Sequence, residues 1–132
     1  MFASSTTRRL RHLAMPAIFA LAGACAHVPP GTGASPAQTV IEFNNESLAQ
    51  ANVFVRAPGQ NAHLLGTVPG GRQEELVIPA GYADKGNITI FARLLARNAV
   101  PSSGSIAIVP GDKLNVRLPL DERALFVLPS AS

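Results

Sequence analysis

The stretch that decides the fold is Lys113–Leu118, which reads KLNVRL. Leu114, Val116 and Leu118 alternate with polar residues, so the apolar side chains fall on one face of an extended strand. A strand with one apolar and one polar face is typical of an antiparallel sheet that covers a core on one side. This segment therefore predicts a strand of an all-β domain.

The residues just before this strand are Ser105–Val109 (SIAIV), followed by Pro110, Gly111 and Asp112. The apolar run predicts a second strand, and the three residues after it predict a turn. Two connections fit this order: a pair of neighbouring strands joined by the turn, or a β-arch that carries the chain from one sheet to another. The sequence leaves both open.

Further short apolar and β-branched runs lie outward from this pair, and most are closed by Pro, Gly or Asn, which is typical of strands. They are Thr39–Phe43, Asn52–Ala57, Ala62–Val68, Glu74–Ile78, Asn87–Arg97 and Ala124–Leu128. The Asn87–Arg97 run fits a strand or a helix by its spacing. Its β-branched start favours a strand, with a kink or bulge near Leu94-Leu95.

Runs that recur about every dozen residues predict an antiparallel β-sandwich of seven or eight short strands over residues 39–129, with a small closed barrel as the alternative. The pattern I-x-I-V-P-G-D-x-L-x-V-x-L over Ile106–Leu118 is similar to that of small β-sandwich domains of bacterial envelope lipoproteins. The resemblance implies an immunoglobulin-like or transthyretin-like sandwich. Residues 130–132 are expected to form a short tail.

The N-terminus carries the pattern of an export signal. Arg8, Arg9 and Arg11 precede the apolar run Leu13–Ala24 and the only cysteine, Cys25. A positive segment, an apolar segment and small residues before a cleavage point are typical of such signals. The apolar run is shorter than the roughly 20 residues that a membrane-spanning helix needs.

The end of this signal resembles the lipobox of bacterial lipoproteins, on the residues Leu21–Cys25 (LAGAC). The resemblance implies cleavage after residue 24 and attachment of fatty acyl chains, such as palmitate, to Cys25. A plain signal-peptidase site at the same bond is the alternative. Ala26, rather than an aspartate at this position, resembles lipoproteins that are sorted onward to the outer membrane, and the resemblance implies that location in the cell envelope.

These signals divide the chain into a signal peptide (1–24), a lipidated cysteine with a flexible linker (25–38), the sandwich (39–129) and the tail. The linker prediction rests on the Pro- and Gly-rich composition of Ala26–Gln38. Such a linker would hold a folded domain off the membrane surface.

The net charge of +3 belongs to the signal, because Arg8, Arg9 and Arg11 are three of the 11 basic residues. The other eight basic residues balance the eight acidic ones. A chain without excess positive charge lacks the main determinant of nucleic-acid binding, so nucleic acid is not an expected partner.

The candidates for catalysis are few. His63 is the only histidine of the predicted domain, and Ser102, Ser103 and Ser105 are expected in a loop without a nucleophile motif. The adjacent acidic pairs Glu74-Glu75 and Asp121-Glu122 are expected to point to opposite faces and to be solvated. We therefore predict no catalytic residue, no metal site and no cofactor.

A basic interaction face is the remaining candidate site. Five cationic residues fall on predicted outward strand positions: Arg56, Arg93, Arg97, Lys113 and Arg117. On one sheet face they would meet acidic partners such as lipid A phosphates or acidic glycans. The alternative is an ordinary solvated face that nearby acidic residues balance.

The sequence thus predicts a non-enzymatic, membrane-anchored envelope lipoprotein whose β-sandwich serves as a structural or protein-interaction module. Its expected partners are the membrane, through the lipid anchor, and an envelope protein. A periplasmic protein that binds a small or lipid-like ligand between the sheets is one alternative. An enzyme accessory domain is the other.

Overall fold

The computed structural model describes residues 37–129. The predicted signal, Cys25, most of the linker and the tail lie outside the described residues. The described part contains eight strands and one short helix: β1 (Thr39–Asn45), β2 (Ala51–Arg56), β3 (His63–Val68), β4 (Arg72–Ile78), α1 (Ala80–Ala83), β5 (Asn87–Leu94), β6 (Ser102–Ala107), β7 (Lys113–Leu118) and β8 (Phe126–Pro129). Among residues 37–129, no helix is long and apolar enough to cross a membrane.

The strands form two four-stranded sheets, which makes the domain a β-sandwich and not a closed barrel. The β1 sheet has the order β4-β1-β7-β8, and the β2 sheet has the order β3-β2-β5-β6. All neighbouring strands are antiparallel except β1 and β7, which run parallel. The predicted sandwich is confirmed, with eight strands.

The core lies between the sheets and follows from the period-two pattern of the strands. In β7, Val116 and Leu118 are fully buried, as the alternation predicts, and Leu114 packs at the edge of the core. The largest fully buried side chain is that of Phe43 on β1. These side chains belong to the hydrophobic core between the two sheets.

The ambiguous segment is strand β5, as favoured. Ile88, Ile90, Ala92 and Leu94 are all buried on one face. The strand ends at Leu94, and the chain then turns with Ala96 at a φ of 58°.

The strand predicted over residues 105–109 was placed wrongly. The sequence had also left open how this strand connects to β7. Strand β6 covers Ser102–Ala107 rather than 105–109, so Ser102 and Ser103 belong to a strand and not to a loop. This edge strand consists mainly of small polar residues and carries little apolar signal, so the sequence hides its start. Because β6 and β7 belong to different sheets, the Pro110-Gly111-Asp112 turn is a β-arch.

The two ends of the sandwich differ. The chain enters at Thr39, and we call this end the near end; its connections are residues 57–62, 79–86 and 108–112. The opposite, or far, end carries the connections 46–50, 69–71, 95–101 and 119–125. The end of β8 also lies at the near end, because Pro129 pairs with Leu114.

Candidate functional site

Two neighbouring strands of the β2 sheet carry the same tripeptide pattern. Phe54-Val55-Arg56 lies on β2, and Phe91-Ala92-Arg93 lies on β5. Because Val55 and Ala92 are buried, the phenylalanines and arginines point to the outer face of the sheet. The antiparallel register sets Phe54 directly opposite Phe91. The repeat therefore gives this face a local two-fold arrangement.

These four side chains form one unit, which we call the arginine–phenylalanine stack. The rings of Phe54 and Phe91 are stacked, with centroids 5.2 Å apart and planes inclined by 8°. The Cζ of Arg93 lies 5.4 Å from the ring centroid of Phe54, and the Cζ of Arg56 lies 5.9 Å from that of Phe91. Ring stacking and cation–π attraction hold both guanidinium groups in place at the surface.

The charges on the two sheets are arranged differently. The four strands of the β2 sheet contain no Asp or Glu. On the outer face of the β1 sheet, Glu42 and Glu75 are cross-strand neighbours. Glu75 pairs with Lys113 at 3.7 Å, and Gln73 donates a hydrogen bond to Glu42. The described strands therefore leave positive charge uncompensated on the β2 sheet only.

The five residues of the predicted basic face do not share one sheet. Arg56 and Arg93 lie together in the stack, whereas Lys113 and Arg117 lie on the outer face of the β1 sheet. Arg97 follows β5 in a far-end connection and pairs with Glu122 at 3.2 Å. Period-two alternation predicted that the strand residues point outward, but it does not tell which sheet a strand joins.

The sequence reasoning missed a second surface, at the far end. Its connections carry four large apolar side chains that are more than half exposed: Leu48 (87%), Leu120 (69%), Leu95 (65%) and Val100 (53%). We call these the far-end apolar residues. The sequence does contain a signal for these residues. Each is a large apolar residue within a segment whose Pro, Gly and polar residues predict an exposed connection between strands.

The loop that presents Leu48 is built around a buried amide. The Nδ2 of Asn45 donates to the carbonyl oxygens of Ala49 at 2.9 Å, Val68 at 3.0 Å and Pro69 at 3.2 Å. Its Oδ1 accepts hydrogen bonds from the N–H and the Oγ of Ser47. These bonds join two far-end connections, and they fix the backbone that exposes Leu48.

Close packing limits the same region further. A Cβ at Gly70 would lie 2.7 Å from the backbone carbonyl of Leu48, so a side chain there would force the loop apart. On the other side of the far end, the Leu95 N–H donates to the carbonyl of Gln50 at 2.9 Å. The backbone that carries Leu48 and Leu95 is therefore held in place by these contacts.

The residues considered for catalysis are scattered. His63 is exposed, and its ring lies 5.6 Å from that of Tyr82. Ser103 Oγ accepts a hydrogen bond from the Ile90 N–H at 3.0 Å, so it stabilises the pairing of β5 with β6. Within residues 37–129, no group of three His, Cys, Asp or Glu residues is placed to hold a metal ion.

A cleft of about 500 Å³ opens at the near end, outside the core. Apolar side chains such as those of Val77, Ile78 and Ala83 form most of its wall, and Asp84 also lines it. Residues 37 and 38, where the described chain begins, form part of the lining. The cleft is therefore partly built by the segment that leads into the domain.

Comparison with known proteins adds information on the fold alone. No known protein family matches the sequence, and none of the curated proteins matches it. The chain is similar to the NMR structure of a protein from Eubacterium rectale, with a TM-score of 0.50 and 11% sequence identity. The likeness covers 71% of this chain and 91% of that one.

Proposed function

We propose that this protein is a non-enzymatic lipoprotein of the bacterial envelope, anchored through Cys25, whose β-sandwich is a protein-interaction module. The observation that carries the proposal is the set of far-end apolar residues, because exposed apolar side chains on neighbouring loops are typical of protein–protein contact sites. The partner is an envelope protein, and the outer membrane is the expected location.

The two ends of the sandwich support this assignment. The chain enters the domain at Thr39, so a tether would join the domain at its near end. The far-end apolar residues lie at the other end of the strands. A tethered domain meets its partner at a high effective concentration, so a small contact surface suffices.

In-cell photocrosslinking tests the interaction surface. A photoreactive amino acid at Leu120, which is 69% exposed at the far end, is compared with one at Val109, which is 64% exposed at the near end. We expect one discrete protein adduct from position 120 and none from position 109. Equal adducts from both positions, or adducts from neither, would contradict the proposal.

Mass spectrometry of the mature N-terminus tests the anchor separately. We expect a chain that begins at Cys25 and carries acyl chains. An unmodified Cys25, or a chain that still begins at Met1, would refute the lipoprotein assignment without bearing on the far-end contact.

A further inference from the structure

We propose that the outer face of the β2 sheet is the side on which the tethered domain rests against an anionic phospholipid bilayer. This inference rests on the proposed anchor, and it goes beyond the far-end contact with a protein. The arginine–phenylalanine stack is the centre of the contact.

The charge distribution gives the bilayer one preferred side of the domain. An anionic surface attracts Arg56 and Arg93, and no carboxylate within the strands of the β2 sheet opposes that attraction. The outer face of the β1 sheet presents Glu42 and Glu75 side by side. On that face Lys113 and Arg117 balance the two carboxylates, so it has no net attraction for an anionic surface, whereas the outer face of the β2 sheet has one.

The chemistry of the stack fits the boundary between lipid headgroups and acyl chains. Arginine can bind phosphate through its planar fork of N–H donors, and phenylalanine and leucine suit the apolar side of the boundary. Leu64, the cross-strand neighbour of Phe54 on β3, is 48% exposed and enlarges the apolar part of the face. The face thus combines two cations with three apolar side chains.

The same features favour a bilayer over an acidic peptide. Phe54 and Phe91 cover one face of each other's rings, and arginines lie over both rings. The stack therefore leaves no open slot between the rings for a peptide side chain. A broad sheet face with cations beside an apolar centre is complementary to a continuous anionic surface.

The attraction between two arginines and an anionic bilayer is weak, but it is sufficient to orient a domain that is already tethered to the membrane. Each arginine near an anionic leaflet favours the contact about fivefold, so the pair favours it roughly 25-fold. Such a factor would hold a free domain only weakly. It orients a tethered domain, for which binding is an intramolecular step.

The test uses the full lipidated chain in vesicles and exploits the absence of tryptophan from its sequence. A single tryptophan is introduced as Leu64→Trp on the β2 sheet or as Leu128→Trp on the β1 sheet. The two leucines are matched, because both lie on edge strands and are 48% and 47% exposed. Brominated acyl chains in the vesicles quench an indole that reaches the boundary.

In vesicles that contain phosphatidylglycerol, we expect at least threefold stronger quenching at position 64 than at position 128. The difference should disappear in pure phosphatidylcholine, at high salt, and in the Arg56→Gln/Arg93→Gln variant. Circular dichroism checks that each variant is folded, and the lipid-composition arm needs no arginine variant at all.

Equal quenching at both positions, or a difference that does not depend on phosphatidylglycerol, would overturn the inference. A protein adduct from a photoreactive residue at position 64, without quenching there, would overturn it in favour of a protein partner for this face. Neither result bears on the crosslinks at positions 120 and 109, so the failure of one proposal is distinguishable from the failure of the other.

Discussion

The two sheets share one core but keep their charges in different ways. On the β1 sheet, the ion pairs Lys113–Glu75 and Arg117–Glu46 join opposite charges at 3.7 and 3.9 Å. On the β2 sheet, Arg56 and Arg93 lie over phenylalanine rings, and the strands of that sheet contain no carboxylate. Arg117 on the β1 sheet has both: it lies beside Glu46 and 5.8 Å from the ring centroid of Phe126. A carboxylate neutralises a cation, whereas a ring orients it and leaves its charge available. The second arrangement is therefore the one that suits a partner with negative charge.

We expect the largest difference in stability between substitutions in the shared core and substitutions on the outer faces of the sheets. Phe43 is fully buried between the sheets, so Phe43→Ala should cost about 3–5 kcal/mol through lost contacts and a cavity. Phe54→Ala, on the outer face, should cost only about 1 kcal/mol. Urea unfolding followed by circular dichroism measures both. Similar losses for the two variants would mean that the outer-face stack is part of the stabilising core.

The second largest loss of stability is expected at Asn45, where the chain leaves β1 and crosses to the other sheet. Asn45→Ala removes the hydrogen bonds that Nδ2 donates to the carbonyl oxygens of Ala49, Val68 and Pro69, and those that Oδ1 accepts from Ser47, so we expect a loss of roughly 2–3 kcal/mol. The matched control is Asn44→Ala, since Asn44 lies next to it on β1 on the outer face and is half-buried. Thermal unfolding of the two variants checks this. Equal changes in Tm would contradict a special role for Asn45.

The sequence predicted those features that depend only on local alternation. The buried faces of β5 and β7 follow from residues such as Ile90 and Val116, whose side chains recur with period two. The sequence did not reveal the start of β6, because Ser102, Ser103 and Gly104 are small residues at a sheet edge, where the register with β5 shifts, and they need no apolar side chain there. Its placement depends on hydrogen bonds to β5, which are long-range contacts that a local pattern does not encode.

The candidate sites needed the same long-range information. The F-x-R repeat is visible at Phe54 and Phe91, but only the register of β2 with β5 makes the two rings neighbours. The predicted basic face failed to form on one side because β7, which carries Lys113 and Arg117, joins the other sheet. The period-two alternation of a strand predicts which of its side chains share a face, whereas only the sheet topology determines which strands lie beside it.

A third prediction measures the coupling inside the stack. In a double-mutant cycle with Phe54→Leu and Phe91→Leu, we expect a coupling free energy of about 1 kcal/mol, since the rings stack at 5.2 Å. The coupling should change little between low and high salt, because it arises from ring contacts rather than from net charge. Additive single-variant losses would show that the two rings contribute independently.

The smallest expected effect belongs to the ion pairs of the β1 sheet. Arg117 and Glu46 lie 3.9 Å apart, and their side chains are 46% and 38% exposed. Water and salt screen such a pair, so a cycle with Arg117→Gln and Glu46→Gln should give less than about 0.5 kcal/mol, and less still at high salt. The Arg97–Glu122 pair, at 3.2 Å with Glu122 only 15% exposed, is the control in which the coupling should be larger. A coupling between Arg117 and Glu46 as strong as that between Phe54 and Phe91, and insensitive to salt, would contradict the weak ion pair expected here.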